Sequence, residues 1–178
     1  APVEKNDGLG SEEVVWHSDN SYIERPPAGS TLYAREIPRD GSGRTFFNSQ
    51  YAALETLPEH LAEAIAGRRS KQDASRNSAG VLRPGVTLPT CPEEVPGPMH
   101  SLVRVHPDTG RKALYLGRRR QWPSQYIEGY SNDESEALLD ALWAHATDPR
   151  LQWMHEWRVG DMLVWDNRAP EFDINLHK

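Results

Sequence analysis

The sequence predicts a mainly β fold with helical insertions, arranged as a jelly-roll barrel. Short segments rich in β-branched and aromatic residues recur along the chain, and helical patterns are inserted between some of them. The chain carries 14 prolines and 13 glycines, which punctuate these segments too often for a helical bundle. Of six tryptophans, four follow Asp140, enough bulky apolar surface for part of an interior.

The elements follow in order. Residues 1–12 form a polar, glycine-containing segment. Val14–His17 is expected as the first strand, and an irregular connection with Pro26 and Pro27 follows it. Ser30–Ile37 is rich in β-formers and is closed by Pro38. Asp40-Gly41-Ser42-Gly43 is a turn, and Arg44–Asn48 returns as a strand. Asn48 or Ser49 can cap a helix through Tyr51–Leu54. Pro58 suits the first position of a second helix, with Leu61, Ala62 and Ile65 at helical spacing and Gly67 at its end. Residues 68–101 lack periodicity and read as a long, Arg-rich loop, a candidate lid. Leu102–His106 and Lys112–Leu116 flank the hairpin turn Pro107-Asp108-Thr109-Gly110. Ser131-Asn132-Asp133-Glu134 has capping-box form and opens a helix that ends before Pro149. Trp153–Val159 and Met162–Trp165 are the last strands, and the even spacing of Trp153, Trp157 and Trp165 reads as core packing.

At 178 residues the chain is one domain, with an atypical tail at 170–178. A net charge of −6 argues against general nucleic-acid binding, which needs a basic face. No apolar run approaches the roughly 20 residues of a membrane-spanning helix. Cys91 is the single cysteine, which excludes an internal disulfide and fits a reducing cytoplasm. It lies among prolines and reads as a loop residue.

Val14-Val15-Trp16-His17-Ser18-Asp19 carries the candidate chemistry. On a strand, residues two apart share a face, so His17 and Asp19 can point the same way. A second histidine from elsewhere would complete the facial triad of two histidines and one carboxylate that leaves open positions on non-haem Fe(II). Asn20, Ser21 and Tyr22 follow directly and are candidate pocket residues, with Asn20 and Tyr22 as substrate contacts. Arg118-Arg119-Arg120 could gather an anionic substrate, but a solvated charge run is the favoured expectation. His106 is expected as a hairpin residue, and His100, His145 and His155 as structural or exposed.

Several motifs then occur in one order: Trp16-His17-Ser18-Asp19, Pro26-Pro27-Ala28-Gly29, Gly43-Arg44-Thr45, Leu57-Pro58, His106-Pro107 with Gly110, Glu134–Leu139, and Trp165-Asp166-Asn167-Arg168. Across residues 14–168 this resembles the taurine dioxygenase and 2,4-dichlorophenoxyacetate dioxygenase family. The resemblance implies a double-stranded β-helix, here incomplete, and an Fe(II)- and 2-oxoglutarate-dependent oxygenase. It implies hydroxylation of a small anionic molecule (a taurine-like sulfonate, sulfate ester or aryloxy acid) by O₂, with release of succinate and CO₂. It matches His17 and Asp19 to iron ligands and Thr45 to the threonine that helps hold 2-oxoglutarate. The family spacing puts the distal histidine at Phe172, and the only later histidine is His177. The arginine that pairs with 2-oxoglutarate lies further on in the family, so the chain reads as truncated at both ends. Self-association through exposed strand edges is the corresponding expectation.

Two other readings stay open at this point. One is a non-catalytic β-barrel fragment with weak metal or partner binding. The other is a cupin-like hydrolase or isomerase using a different divalent metal.

Overall fold

A computed structural model describes residues 15–39, 43–77, 80–120 and 123–168, together with the backbone of 175–177. The described residues are mostly short strands with three helices. Strand β1 (Gly29–Tyr33) pairs antiparallel with β8 (Met162–Asp166), which lies more than a hundred residues later. Strand β2 (Arg44–Asn48) lies between β7 (Gln152–His155) and β9 (Asn175–His177). Two smaller pairs join β3 (Arg69–Lys71) to β4 (Met99–Ser101) and β5 (Val103–Val105) to β6 (Lys112–Leu114).

The helices form where local chemistry favours them. Ser49 caps α1 (Gln50–Glu55), its hydroxyl accepting the Ala52 N–H. Pro58 caps α2 (Glu59–Ile65), its fixed φ leading the chain into the first turn. Ser131 and Glu134 close a reciprocal capping box on α3 (Asn132–Ala146), as the sequence predicts. The inner face of α3 presents Leu138, Leu139, Leu142 and Trp143. These pack with Leu57 of the link between the first two helices, with Leu61 and Ile65 of α2, and with Leu102, Leu114, Leu116 and Ile127. This helix-on-hairpin cluster is the main core, and burying each large aliphatic side chain contributes about 1.5–3 kcal/mol.

A smaller core forms under the sheets, where Trp165 meets the edge of Phe47 at 5.7 Å. The tryptophan series therefore divides. Trp165 is buried, but Trp153 packs one face on Phe47 and remains half exposed, because β7 turns that residue outward. The β1–β8 pair also leaves Tyr33, Met162 and Val164 exposed. Gly29 is required by close approach: a Cβ there would lie 2.7 Å from the Trp165 carbonyl oxygen.

Residues 68–101, expected as one unstructured loop, begin and end in paired strands. The β3–β4 pairing and backbone hydrogen bonds from Gln72 to Pro98 and from Ala74 to Pro96 close the stretch at its base. No periodic pattern announces strands of three residues. The tail residues Asn175–His177 run beside β2, with His177 opposite Arg44. Asp40-Gly41-Ser42, Phe172 and the polar 1–12 segment lie outside the described residues. Among the described residues no helix is long and apolar enough to cross a membrane.

One polar knot joins the hairpin to the sheet. His106 is buried at the β5–β6 turn, where its Nδ1 accepts the N–H groups of Asp108 and Thr109. Nε2 must then carry the proton, and it donates to Asp166 Oδ2 at 3.1 Å. Arg168 clasps the same carboxylate at 2.7 Å and reaches Asp108 at 2.9 Å. His106 is thus more than a hairpin residue. The Arg168 guanidinium holds the Asp166 carboxyl well below the usual carboxylate range, outweighing the opposing effect of partial burial.

Leu142→Ala should lower the unfolding free energy by about 2–5 kcal/mol, and Ser131→Ala by about 1 kcal/mol, in urea titrations. Because its folded pKa is depressed, Asp166 stabilises the fold fully above its unfolded value of about 4, and loses that effect as pH falls through its folded value. Asp166→Asn should lower the melting temperature at neutral pH and flatten its fall on acidification.

Candidate active site

The segment carrying His17 and Asp19 is docked by two backbone contacts. Ser18 N–H donates to the Gly117 carbonyl at 2.7 Å, and His17 forms a single bridge with Arg118. The expected strand Val14–His17 is not found over its described part. Instead the chain turns at once, with Asn20 in the left-handed region at φ 53°. Asparagine tolerates that conformation better than most residues. The Asn20 carbonyl accepts the Ile23 N–H, and its side-chain oxygen accepts the Tyr22 hydroxyl at 3.1 Å. His17 and Asp19 do converge, through this turn rather than through strand alternation.

Their geometry fixes where the ring proton of the neutral imidazole sits. His17 Nδ1 lies 2.8 Å from the Val15 carbonyl oxygen, which can only accept, so Nδ1 carries a proton. Nε2 faces Asp19 Oδ1 at 3.3 Å. In the neutral ring these are two electron-pair donors pointed at each other. A second ring proton or a cation held by both satisfies them, and the outer hydrogen bond on Nδ1 is the kind that fixes a metal-binding tautomer. The residues present therefore fit a divalent metal as two of its ligands. Among the described residues no third His, Cys, Asp or Glu gathers with them.

Asp19 is braced from the sheet. Burial opposes its charge, but hydrogen bonds from His17, Ser30 and Trp165 together hold its carboxyl below the usual range. Ser30 and Trp165 are direct partners across the β1–β8 pair. Asn167 Nδ2 in turn donates to Ser30 Oγ at 2.7 Å.

The pair opens on a cleft of about 90 Å³. Asn20, Ser21 and Tyr22 line it, as expected from their position after the pair. The opposite wall brings Arg76, Asn77, Arg83, Arg118 and Arg120. The arginine run is therefore not a solvated face. Arg118 and Arg120, two apart on an extended segment, share the cleft side, while Arg119 turns to Glu136 and Asp140 at 2.6 and 2.7 Å. That i, i+2 spacing was a usable signal. Arg76 and Arg83 had none, because only folding of the 68–101 segment brings them to the site. Thr45 lies apart from this cleft. Fully buried in β2, it lines a separate pocket with Tyr33, Pro38 and Trp157, and its hydroxyl accepts the Trp157 indole N–H at 2.8 Å.

Gly117 has φ +75°, and a Cβ there would overlap the Gln72 side-chain amide. Gly117→Ala should therefore lower stability by at least about 1–2 kcal/mol in thermal unfolding. It should also weaken Mn(II) binding measured by electron paramagnetic resonance, because Ser18 hangs from the Gly117 carbonyl.

Comparison with known proteins places this arrangement in context. The chain is 34% identical over 155 residues to the alpha-ketoglutarate-dependent 2,4-dichlorophenoxyacetate dioxygenase of a Burkholderia species, covering 87% of this chain and 50% of that protein. It is 31% identical over 171 residues to the alpha-ketoglutarate-dependent sulfate ester dioxygenase of Pseudomonas putida, covering 91% and 54%. The crystal structure of AAD-2 in complex with Mn(II) and N-oxalylglycine superposes with a TM-score of 0.75 at 30% identity, covering 93% of this chain and 62% of that one. The chain spans about half the length of the curated relatives it matches. The family model for taurine catabolism dioxygenases of the TauD/TfdA type, whose enzymes use Fe(II) and 2-oxoglutarate, matches residues 2–169. With His17 and Asp19 meeting inside that span, this chain belongs to the TauD/TfdA dioxygenase family.

Proposed function

We propose that this chain forms the metal-binding core of an Fe(II)- and 2-oxoglutarate-dependent dioxygenase that hydroxylates a small anionic organic molecule and releases succinate and CO₂. The observation that carries this is the convergence of His17 Nε2 and Asp19 Oδ1 at 3.3 Å on an arginine-walled cleft. The strands belong to a double-stranded β-helix, of which this chain holds part. The single thiol of Cys91 fits a cytoplasmic setting.

The chain's own groups have distinct tasks. His17 Nε2 and the Asp19 carboxylate would hold Fe(II), with a third protein ligand completing the facial set. Bound there with 2-oxoglutarate, the iron supplies the oxidising power that O₂ alone lacks toward a C–H bond. The Val15 carbonyl keeps the His17 proton on Nδ1, so Nε2 stays free to ligate. Ser30 and Trp165 fix the Asp19 carboxylate and favour its ionised form. Thr45 already accepts a hydrogen bond from Trp157, so its own O–H is left to donate to a co-substrate carboxylate. Asn20 and Tyr22 face the substrate from the turn beside the ligands. The arginines on the opposite wall favour an anion, in keeping with the aryloxy acid and sulfate esters named for two relatives.

Anaerobic titration of the protein with Fe(II) and 2-oxoglutarate should develop the visible charge-transfer band of the chelated co-substrate. His17→Ala should abolish it. Absence of the band from the unaltered protein would leave the non-catalytic scaffold as the better reading.

A further inference from the structure

Resting on the reading of this cleft as a substrate site, we infer that Arg76, Arg83 and Arg120 form a receptor for a dianionic oxoanion group on the substrate, of the phosphate or phosphonate class. All three are half-buried and line the cleft that holds His17 and Asp19. Their hydrogen bonds go to neutral carbonyls. Arg76 donates to Gly80 at 2.9 Å, Arg83 Nε to Arg76 at 3.3 Å, and Arg120 to Asn77 at 2.9 Å.

None of the three has a carboxylate within ion-pair distance among the described residues. Elsewhere Arg44, Arg69, Arg111, Arg119, Arg150 and Arg168 each find one. Gathering half-buried like charges without counter-charge is unfavourable unless something else supplies it. Burial and the charges of Arg76 and Arg83 press the Arg120 pKa down, against the attraction of Asp73.

The charge balance specifies the guest. Among the described residues, Asp73 is the only carboxylate lining the cleft apart from Asp19, and it is held in place by the Ser75 N–H at 2.6 Å and the Ser124 hydroxyl at 2.7 Å. Four guanidinium groups, those of Arg76, Arg83, Arg118 and Arg120, against the carboxylates of Asp19 and Asp73 leave two positive charges for a bound group to meet. Guanidinium forks suit tetrahedral oxoanions because they offer paired, parallel donors. Arg83 lies over the Tyr22 ring at 4.5 Å, and Tyr22 is tied to Asn20, so this fork is pre-positioned beside the metal ligands. Thr45, which the proposed function assigns to a co-substrate carboxylate, lines a separate pocket and not the wall that carries these three arginines.

Isothermal titration of the metal-free protein at neutral pH and low salt tests this without turnover. The probes are phenyl phosphate (a dianion), benzenesulfonate (a monoanion of similar shape), benzyl alcohol and 2-oxoglutarate. Phenyl phosphate should bind at least about tenfold more tightly than benzenesulfonate, and benzyl alcohol should not bind. R76Q, R83Q and R120Q should each weaken phenyl phosphate by about tenfold, with R83K restoring part of the loss and R119Q changing nothing. Equal binding of the two anions, or retention of phenyl phosphate by folded glutamine variants, would overturn the assignment. Larger losses for 2-oxoglutarate than for phenyl phosphate in those variants would also overturn it, by making the cluster a co-substrate site. His17→Ala should keep phenyl phosphate binding while losing the iron band. Failure of the receptor and failure of the metal site are therefore read separately.

Discussion

The pairing of Ser30 with Trp165 is the constraint on which the site depends. These two residues lie directly opposite each other in the antiparallel β1–β8 pair, and both donate hydrogen bonds to Asp19. Facing residues of an antiparallel pair present their side chains on one side of the sheet. A slip of one residue would turn both donors away and leave a partly buried carboxylate with His17 alone. Gly29 helps pin that register, since only a residue without a Cβ fits against the Trp165 carbonyl. Asn167 sets the Ser30 hydroxyl from behind, so the residue just after β8 acts on Asp19 through two connected hydrogen bonds.

That sheet pair is held to the helical core by charge rather than by apolar packing. The large cluster under α3 stabilises the β5–β6 hairpin, and His106 at the hairpin turn reaches Asp166 at the end of β8. Arg168 closes the knot by joining Asp166 to Asp108. A buried histidine with both ring nitrogens engaged is directional in a way that aliphatic contact is not, so the knot aligns β8 as well as attaching it. Trp16 packs on that hydrophobic mass beside His17, and a short polar relay through β8 carries its rigidity to Asp19.

The cleft shows the opposite electrostatic policy. Most arginines of known partner are neutralised by carboxylates, while Arg76, Arg83 and Arg120 are steadied by carbonyls and one aromatic face. Backbone carbonyls orient a guanidinium without cancelling its charge, so the cleft keeps a positive potential beside the negatively charged Asp19. On the proposed reading, a substrate anion would meet one wall while its remainder is directed toward His17 and Asp19.

Much of the element order was legible in the sequence because it follows from local chemistry. β2, the capping box of α3, the hairpin turn after His106 and the strand ending at Trp165-Asp166 were all readable, as were the His17–Asp19 pair and the clefts beside it at Asn20 and Tyr22. The short pairing of β3 with β4 was not, since three-residue strands carry too few side chains for a pattern. The i, i+2 alternation says that Arg118 and Arg120 share a side, but not that this side is covered, and so the run reads as solvent-facing in the sequence. By itself, then, the sequence determined which residues could ligate, cap and turn, since those capacities belong to side chains and their near neighbours. Only the tertiary structure decided that His17 meets Asp19 through a turn, that Ser30 and Trp165 brace the carboxylate, and that Arg76 and Arg83 share a cleft with Arg120. Those outcomes depend on contacts between segments up to about 140 residues apart, whose register is set by the packing of the whole chain.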